Sequence, residues 1–156
     1  MVLLNNNLPA GTFNILIPMS RILAIDYGGK RTGLAVTDPL QIIATGLATI
    51  ASRELIPFLK TYMLSEPVER IIIGMPTNWD DTDTHATPLV KGVISKLQRA
   101  FPGMPIQPVD ERYTSKMAKN AMLEMGMKKK QRRVKENVDI IAATILLQEY
   151  LQSKQG

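Results

Sequence analysis

The chain reads as an α/β protein. Its core is a mixed five-stranded sheet, an antiparallel three-strand meander continued by βα units, with helices on both faces. Three observations predict this. Three short apolar runs near the start are joined by turn-length links, too short for the crossover that parallel pairing needs. Two further runs alternate with segments of helical length and pattern, the rhythm of βα units. No internal repeat or interdomain linker interrupts the 156 residues, a length that gives one domain a real core.

Residues 1–18 read as a loosely ordered N-terminal extension. Asn5-Asn6-Asn7, Pro9-Ala10-Gly11 and Pro18 break any periodicity, and Ile15-Leu16-Ile17 is too short for a signal-peptide core. Met19 directly precedes the first strand and reads as the biological start, so a single domain is expected over 19–153.

The first strand is Arg21–Asp26. Gly28-Gly29 marks a turn, and Gly33–Thr37 is the second strand. Ile42–Ile50 is the third, with Gly46 at a bulge or kink. Ser52 is expected to cap a helix running to Leu64, with Pro57 tolerated only in an early turn or at a kink. Arg70–Met75 is β-branched and apolar, as in a strand buried on both faces. Residues 77–87 are polar and turn-rich, Pro88–Ala100 is helical, and Ile106–Glu111 is the fifth strand. Thr114 is expected to cap a helix ending near Met125, where Gly126 stops it. Residues 127–135 read as a basic loop, and Glu136–Gln152 as the last helix.

Composition narrows the chemistry. With no cysteine and one histidine, His85, disulfides, thiolate zinc sites, cysteine nucleophiles and multi-histidine metal sites are excluded. Carboxylate and oxygen chemistry remains, which favours Mg²⁺ or Mn²⁺. Absent cysteine fits a reducing cytoplasm, and no apolar run is long enough to cross a bilayer, so no membrane partner is expected. The formal charge is +5. Much of it collects in Lys116, Lys119, Lys128, Lys129, Lys130, Arg132, Arg133 and Lys135, against only Glu124 and Glu136. Such an excess suits a polyanionic partner or a solvated loop.

Three acids sit within apolar elements. Asp26 ends the first strand, Glu111 ends the fifth, and Asp139 lies near the start of the last helix. Such acids are costly unless paired or bound to a cation. Asp110 and Glu111 are adjacent on a strand and point to opposite faces, so only one can enter a given site. Ala142 and Ala143, three and four residues beyond Asp139, would let the helix lie close to the sheet. Together Asp26, Glu111 and Asp139 would bind metal and catalyse phosphodiester chemistry, with two cations activating a water and stabilising the leaving oxygen. Each acid also has a local reading. Asp26 can satisfy amides of the Gly28-Gly29 turn, Asp139 can complement a helix dipole, and Glu111 can pair with Arg112 or Lys116. Lys30 and Arg31 can hold a phosphate, and Arg112 can orient Glu111 or contact the scissile phosphate. Trp79 reads as an anchor for its own loop rather than a stacking platform.

Four segments resemble a known family. They are Asp26-Tyr27-Gly28-Gly29-Lys30-Arg31-Thr32-Gly33-Leu34-Ala35, Gly74-Met75-Pro76-Thr77-Asn78, Asp110-Glu111-Arg112-Tyr113-Thr114, and Val138-Asp139-Ile140-Ile141-Ala142-Ala143 with the helix that follows. In this order and spacing they are similar to the YqgF/RuvX family. Its members are described as Holliday-junction resolvases and as nucleases that mature the 5′ end of small-subunit ribosomal RNA. The resemblance spans Met19 to about Gln152. It implies a ribonuclease-H-like fold, a bacterial cytoplasmic nuclease, and Asp26, Glu111 and Asp139 as metal-binding acids. One position departs from the pattern: Asp81 stands where the family often has glycine.

Three functions are weighed. The first is a metal-dependent nuclease that processes pre-16S rRNA or cuts branched DNA, its basic residues binding structured nucleic acid. A junction resolvase would need a symmetric homodimer to cut two strands. The second is a non-catalytic nucleic-acid-binding factor with structural acids. The third, a sugar or acetate kinase, shares the Asp-x-Gly opening but needs a second domain that this chain is too short to contain.

Overall fold

The computed structural model describes residues 19–76, 85–111 and 114–155, with side chains of 114–116 excepted. The expected extension over 1–18, the loop carrying Trp79 and Asp81, and Arg112 lie outside the described residues. The elements are β1 (Arg21–Tyr27), β2 (Arg31–Thr37), β3 (Ala44–Ala51), α1 (Leu55–Ser65), β4 (Val68–Pro76), α2 (Thr87–Ala100), β5 (Ile106–Glu111), α3 (Thr114–Glu124), α4 (Lys129–Arg132) and α5 (Lys135–Gln155).

The sheet has the order β3-β2-β1-β4-β5. β1 pairs antiparallel with β2, and β2 with β3. β1 pairs parallel with β4, and β4 with β5. The meander arises because its links are short. The parallel half arises because α1 and α2 supply the crossovers that parallel strands need. The β2–β3 register shifts between Leu34 and Ala35, whose partners are Ala48 and Gly46. This is the irregularity that Gly46 signals.

Alternation assigns the two faces. Leu23, Ile25, Leu34, Val36, Ile71 and Ile73 pack with Leu55 and Leu59 of α1 and with Val90, Val93 and Leu97 of α2. Ile22, Ala24, Ala35 and Ile72 pack with Ala143, Leu146, Leu147, Tyr150 and Leu151 of α5. Ile71, Ile72 and Ile73 are all fully buried, as expected of a central strand covered on both sides. Helices therefore lie on both faces of the five-stranded sheet. Among the described residues, no helix is long and apolar enough to cross a membrane.

Two local expectations are corrected. Ser52 does not cap a helix. It opens a 3-10 turn over Ser52–Glu54. Its buried hydroxyl lies 2.8 Å from the Thr32 hydroxyl and donates to the Gly28 carbonyl at 2.6 Å. A hydroxyl committed to the β1–β2 turn cannot also serve amides of α1, which starts three residues later, with Pro57 in its first turn. The basic segment is not simply a loop. Residues Lys129–Arg132 form one helical turn, begun where Gln131 Oε1 accepts the Lys128 amide at 3.1 Å. Gly126 at φ 71° ends the preceding helix, as expected.

Candidate active site

Asp26, Gly33, Gly74, Glu111 and Asp139 meet on the α5 face of the sheet. The parity of β1 puts Asp26 on the same side as Ile22 and Ala24, the residues α5 covers. The parity of β5 puts Glu111 on the side of Val109, which packs on that cluster. Asp110 is thereby turned to the other face. β1, β4 and β5 run parallel, so Asp26 and Glu111 both stand near the C-terminal edge of those strands.

Two glycines make the approach possible. Gly33 is the cross-strand partner of Asp26. A side chain there would collide with the backbone carbonyl of Asp139 and come within 3.2 Å of its Cα. The main chain of α5 thus rests on Gly33, beside Asp26. Gly74 belongs to β4, the strand between β1 and β5. A Cβ on Gly74 would collide with Glu111 Oε2 and lie 2.8 Å from its carboxyl carbon. The Glu111 carboxylate occupies the space that this missing side chain leaves, which lets it cross β4 to reach Asp26. Glycine in a strand often marks such a close approach. Gly46 plays a related part, since a side chain there would meet Ile140 of α5. The start of α5 is tied to β3 by the Thr49 hydroxyl, which donates to the Glu136 carbonyl at 2.8 Å.

The electrostatics follow from this packing. The Asp26 carboxyl is pushed up from 3.8 to about 9. Burial contributes most, then the charge of Glu111 and the hydrogen bond between the two carboxyls, then the charge of Asp139. Two acids this close cannot both ionise freely, so the pair holds a proton at neutral pH. Asp139 is treated differently. Its Oδ2 accepts from Arg31 Nε at 2.9 Å. Among the described residues, no group of three acids or histidines is close enough to share one ion.

The expected site residues therefore separate. Asp26 and Glu111 touch, and Asp139 stands near them with its charge answered by Arg31. Lys30 is exposed on the β1–β2 turn, and its carbonyl accepts the Ser52 amide at 2.9 Å. The turn-capping reading of Asp26 fails at its first amide, because the Gly28 N–H goes to the Arg31 carbonyl at 3.0 Å. The dipole reading of Asp139 also weakens, since α5 begins at Lys135 and its first-turn acid is Glu136. Lys128, Lys129, Lys130, Arg133 and Lys135 are exposed around α4, and Arg132 is half-buried. Sequence reasoning missed the Arg31–Asp139 pair and the spacer roles of Gly33 and Gly74. The signal for the glycines was there, small residues at inward positions of strands.

Comparisons with known proteins bear on the family and the fold. A family model described as "RuvX: Holliday junction resolvase" matches residues 20–153. A protein of Flavobacterium psychrophilum named "Putative pre-16S rRNA nuclease" is 52% identical over 136 residues, covering 87% of this chain and 99% of that protein. A protein of the same name from Bacteroides thetaiotaomicron is 50% identical over 137 residues, covering 88% and 99%. Among solved structures, T. thermophilus RuvC in complex with Holliday junction substrate superposes with a TM-score of 0.51 at 15% identity, covering 88% of this chain and 96% of that one. At that identity the likeness speaks to the fold, which is ribonuclease-H-like.

Proposed function

Since the chain belongs to the RuvX family, we propose that it is a nuclease hydrolysing phosphodiester bonds in nucleic acid, with pre-16S rRNA as its substrate and the bacterial cytoplasm as its place of action. One observation carries the reading: the Asp26 carboxyl is held against that of Glu111 at the cost of its own ionisation. The names of relatives that are half identical over nearly their whole length support the RNA substrate.

The donor set fits a divalent cation. It offers only carboxylate oxygens, and two such groups with substrate phosphate and water suffice for Mg²⁺. Asp26 and Glu111 would hold the ion, with Asp139 as the third acid. Bound there, Mg²⁺ or Mn²⁺ would supply an activated water and charge neutralisation at the phosphate.

The chain's own residues do the rest. Gly74 leaves the room in which Glu111 reaches Asp26. Gly33 sets the depth of α5 and so the place of Asp139. Arg31 keeps Asp139 neutralised while the site is free of substrate, and its guanidinium suits a phosphate oxygen when one arrives. Arg112 follows Glu111 directly and is assigned to the same phosphate. Lys30, Lys128, Lys129, Lys130, Arg132, Arg133 and Lys135 supply sequence-independent contacts to the backbone.

A second reading, resolution of branched DNA by a homodimer, is favoured by the description of the family model itself. A cleavage panel decides between them: four-way DNA junction, duplex DNA, single-stranded RNA and a ribosomal RNA precursor, in Mg²⁺ and in Mn²⁺. The precursor should be cut by the wild type and left intact by Asp26→Asn, Glu111→Gln and Asp139→Asn, all folded by thermal melting. Full activity in any two variants overturns the three-acid site. Binding without cleavage by the wild type would make the protein a non-catalytic nucleic-acid-binding factor.

A further inference from the structure

A cavity of about 340 Å³ opens between α3 and α4, lined by Lys119, Leu123, Lys129, Arg132 and Arg133. Four of its five lining residues are cations and none is an acid. By contrast, a cavity of about 380 Å³ elsewhere on α3 is lined by Glu124 and Glu149 among others. Lys119 and Leu123 are one helical turn apart on α3 and share a face. Lys129 and Arg132 hold the same relation on α4. Leu123 is 53% exposed, an apolar floor ringed by positive charge.

One of its lining residues also carries an unmet donor. Arg132 Nε is buried, and among the described residues it has no hydrogen-bond partner. None of these four cations joins an ion pair among the described residues, whose pairs are Arg21–Glu66, Arg31–Asp139 and Arg53–Glu54. A buried guanidinium N–H without an acceptor is costly, and an anionic ligand that draws the half-buried side chain toward the cavity would supply one. A phosphate answers the charge, but it does not explain an apolar floor. A nucleotide answers both, with its phosphate on the guanidinium and its base against Leu123 and the alkyl stem of Lys119. The volume lies at the small end of ligand sites and suits one such unit. A duplex keeps its bases stacked and cannot offer one.

We propose that the α3–α4 cleft seats one unpaired nucleotide of an RNA strand. Arg132 holds its phosphate, with Lys129 and Arg133 beside it, and Leu123 carries its base. The inference rests on the nuclease reading and deepens it, because it makes a single-stranded flank part of the substrate.

The test measures binding in metal-free buffer, where cleavage plays no part. Fluorescence anisotropy compares a twelve-nucleotide single-stranded RNA with an RNA duplex of the same length. The full chain is used as Asp26→Asn, alone and with Arg132→Gln or Leu123→Ser added. Arg132→Gln should weaken single-strand binding about tenfold, as expected for losing a hydrogen bond to a charged group. It should also reduce the single-strand salt slope by about 0.7. Leu123→Ser should weaken the same binding several-fold with the slope unchanged. Duplex affinity should move by less than about twofold with Leu123→Ser, and with Arg132→Gln it should fall clearly less than single-strand affinity, as for one general phosphate contact. Equal losses on single strand and duplex, or no loss with either variant, overturn the cleft. So does a loss with Arg132→Gln alone, which would reduce the cleft to a phosphate contact. Failure of the nuclease reading shows separately, as absence of cleavage by the wild type in the panel above.

Discussion

The Nε of Arg31 donates to Oδ2 of Asp139 at 2.9 Å, joining two residues 108 positions apart in the chain. Arg31 opens β2 and Asp139 lies on α5, so the pair clamps helix to sheet beside the acid pair. The side chains are 34% and 23% exposed, so solvent screens the attraction. Arg31→Gln and Asp139→Asn should each cost about 1 kcal/mol or less in metal-free urea unfolding. The double variant should cost little more than the larger single one, because both remove the same contact. Fully additive losses would show that the two residues act independently.

The raised carboxyl of Asp26 sets a pH dependence whose sign is fixed. A group with a folded-state pKa of about 9 and an ordinary value of 3.8 binds its proton more tightly in the folded state. Its contribution to stability is present in full below the ordinary value and is lost as pH rises toward 9. Thermal melts in EDTA should therefore show the wild type weakening between pH 6 and 9. Asp26→Asn should flatten that trend and raise Tm at the alkaline end. Parallel curves for the two proteins would rule out Asp26 as the source.

Metal uptake should carry the same signature. A cation between Asp26 and Glu111 must displace the shared proton. Calorimetric titration with Mn²⁺ at pH 7.5, in two buffers of different ionisation enthalpy, should show about one proton released per ion. Glu111→Gln should abolish the binding, and proton-independent binding would place the ion elsewhere.

The two glycines should fail in different ways. Gly33→Ala drives a methyl group into the main chain of α5, so it should destabilise the protein by about 1–3 kcal/mol or more. Gly74→Ala meets mainly the carboxylate end of Glu111, which can swing away, with the Glu111 Cβ 3.3 Å off having to give only slightly. It should leave Tm within a few degrees while cutting cleavage at least a hundredfold, because Glu111 loses its place beside Asp26. Retained cleavage in a folded Gly74→Ala would mean that Glu111 acts from another position.

Replacing Lys128, Lys129, Lys130 and Arg132 together by Ala should weaken nucleic-acid binding and flatten its salt dependence. Each lost phosphate contact removes about 0.9 from the log–log slope on duplex DNA, or about 0.7 on a single strand. Different sequences should be affected about equally, because phosphate contacts carry no base information. An unchanged slope would exclude the basic segment from the interface.

Much of this was legible from residue order. Strand parity admitted only one of Asp110 and Glu111, because neighbours on a strand face opposite ways, and the resemblance pointed to Glu111. The meander followed from link lengths, and the fifth strand was read to its observed ends. Ser52 misled because a serine before a helical pattern has two possible employers, and only the folded structure shows that Thr32 and Gly28 claim it. The basic segment misled because one helical turn is too short to have a period. The Arg31–Asp139 pair was illegible for a different reason. It depends on how deeply α5 sinks onto Gly33, a distance that no local pattern encodes.

The place of α5 in the sequence has a consequence in time. The face formed by Ile22, Ala24, Ala35 and Ile72 is covered chiefly by residues 143–151, which leave the ribosome after every strand of the sheet. Until they do, the sheet has one finished side and one bare apolar side, and Asp139 has nowhere to dock. The Asp26–Glu111 pair can form once β5 is in place, but Asp139 arrives only with α5. Contacts so distant in sequence close late in folding. On the proposed three-acid site, a nascent chain therefore carries an incomplete centre until α5 packs.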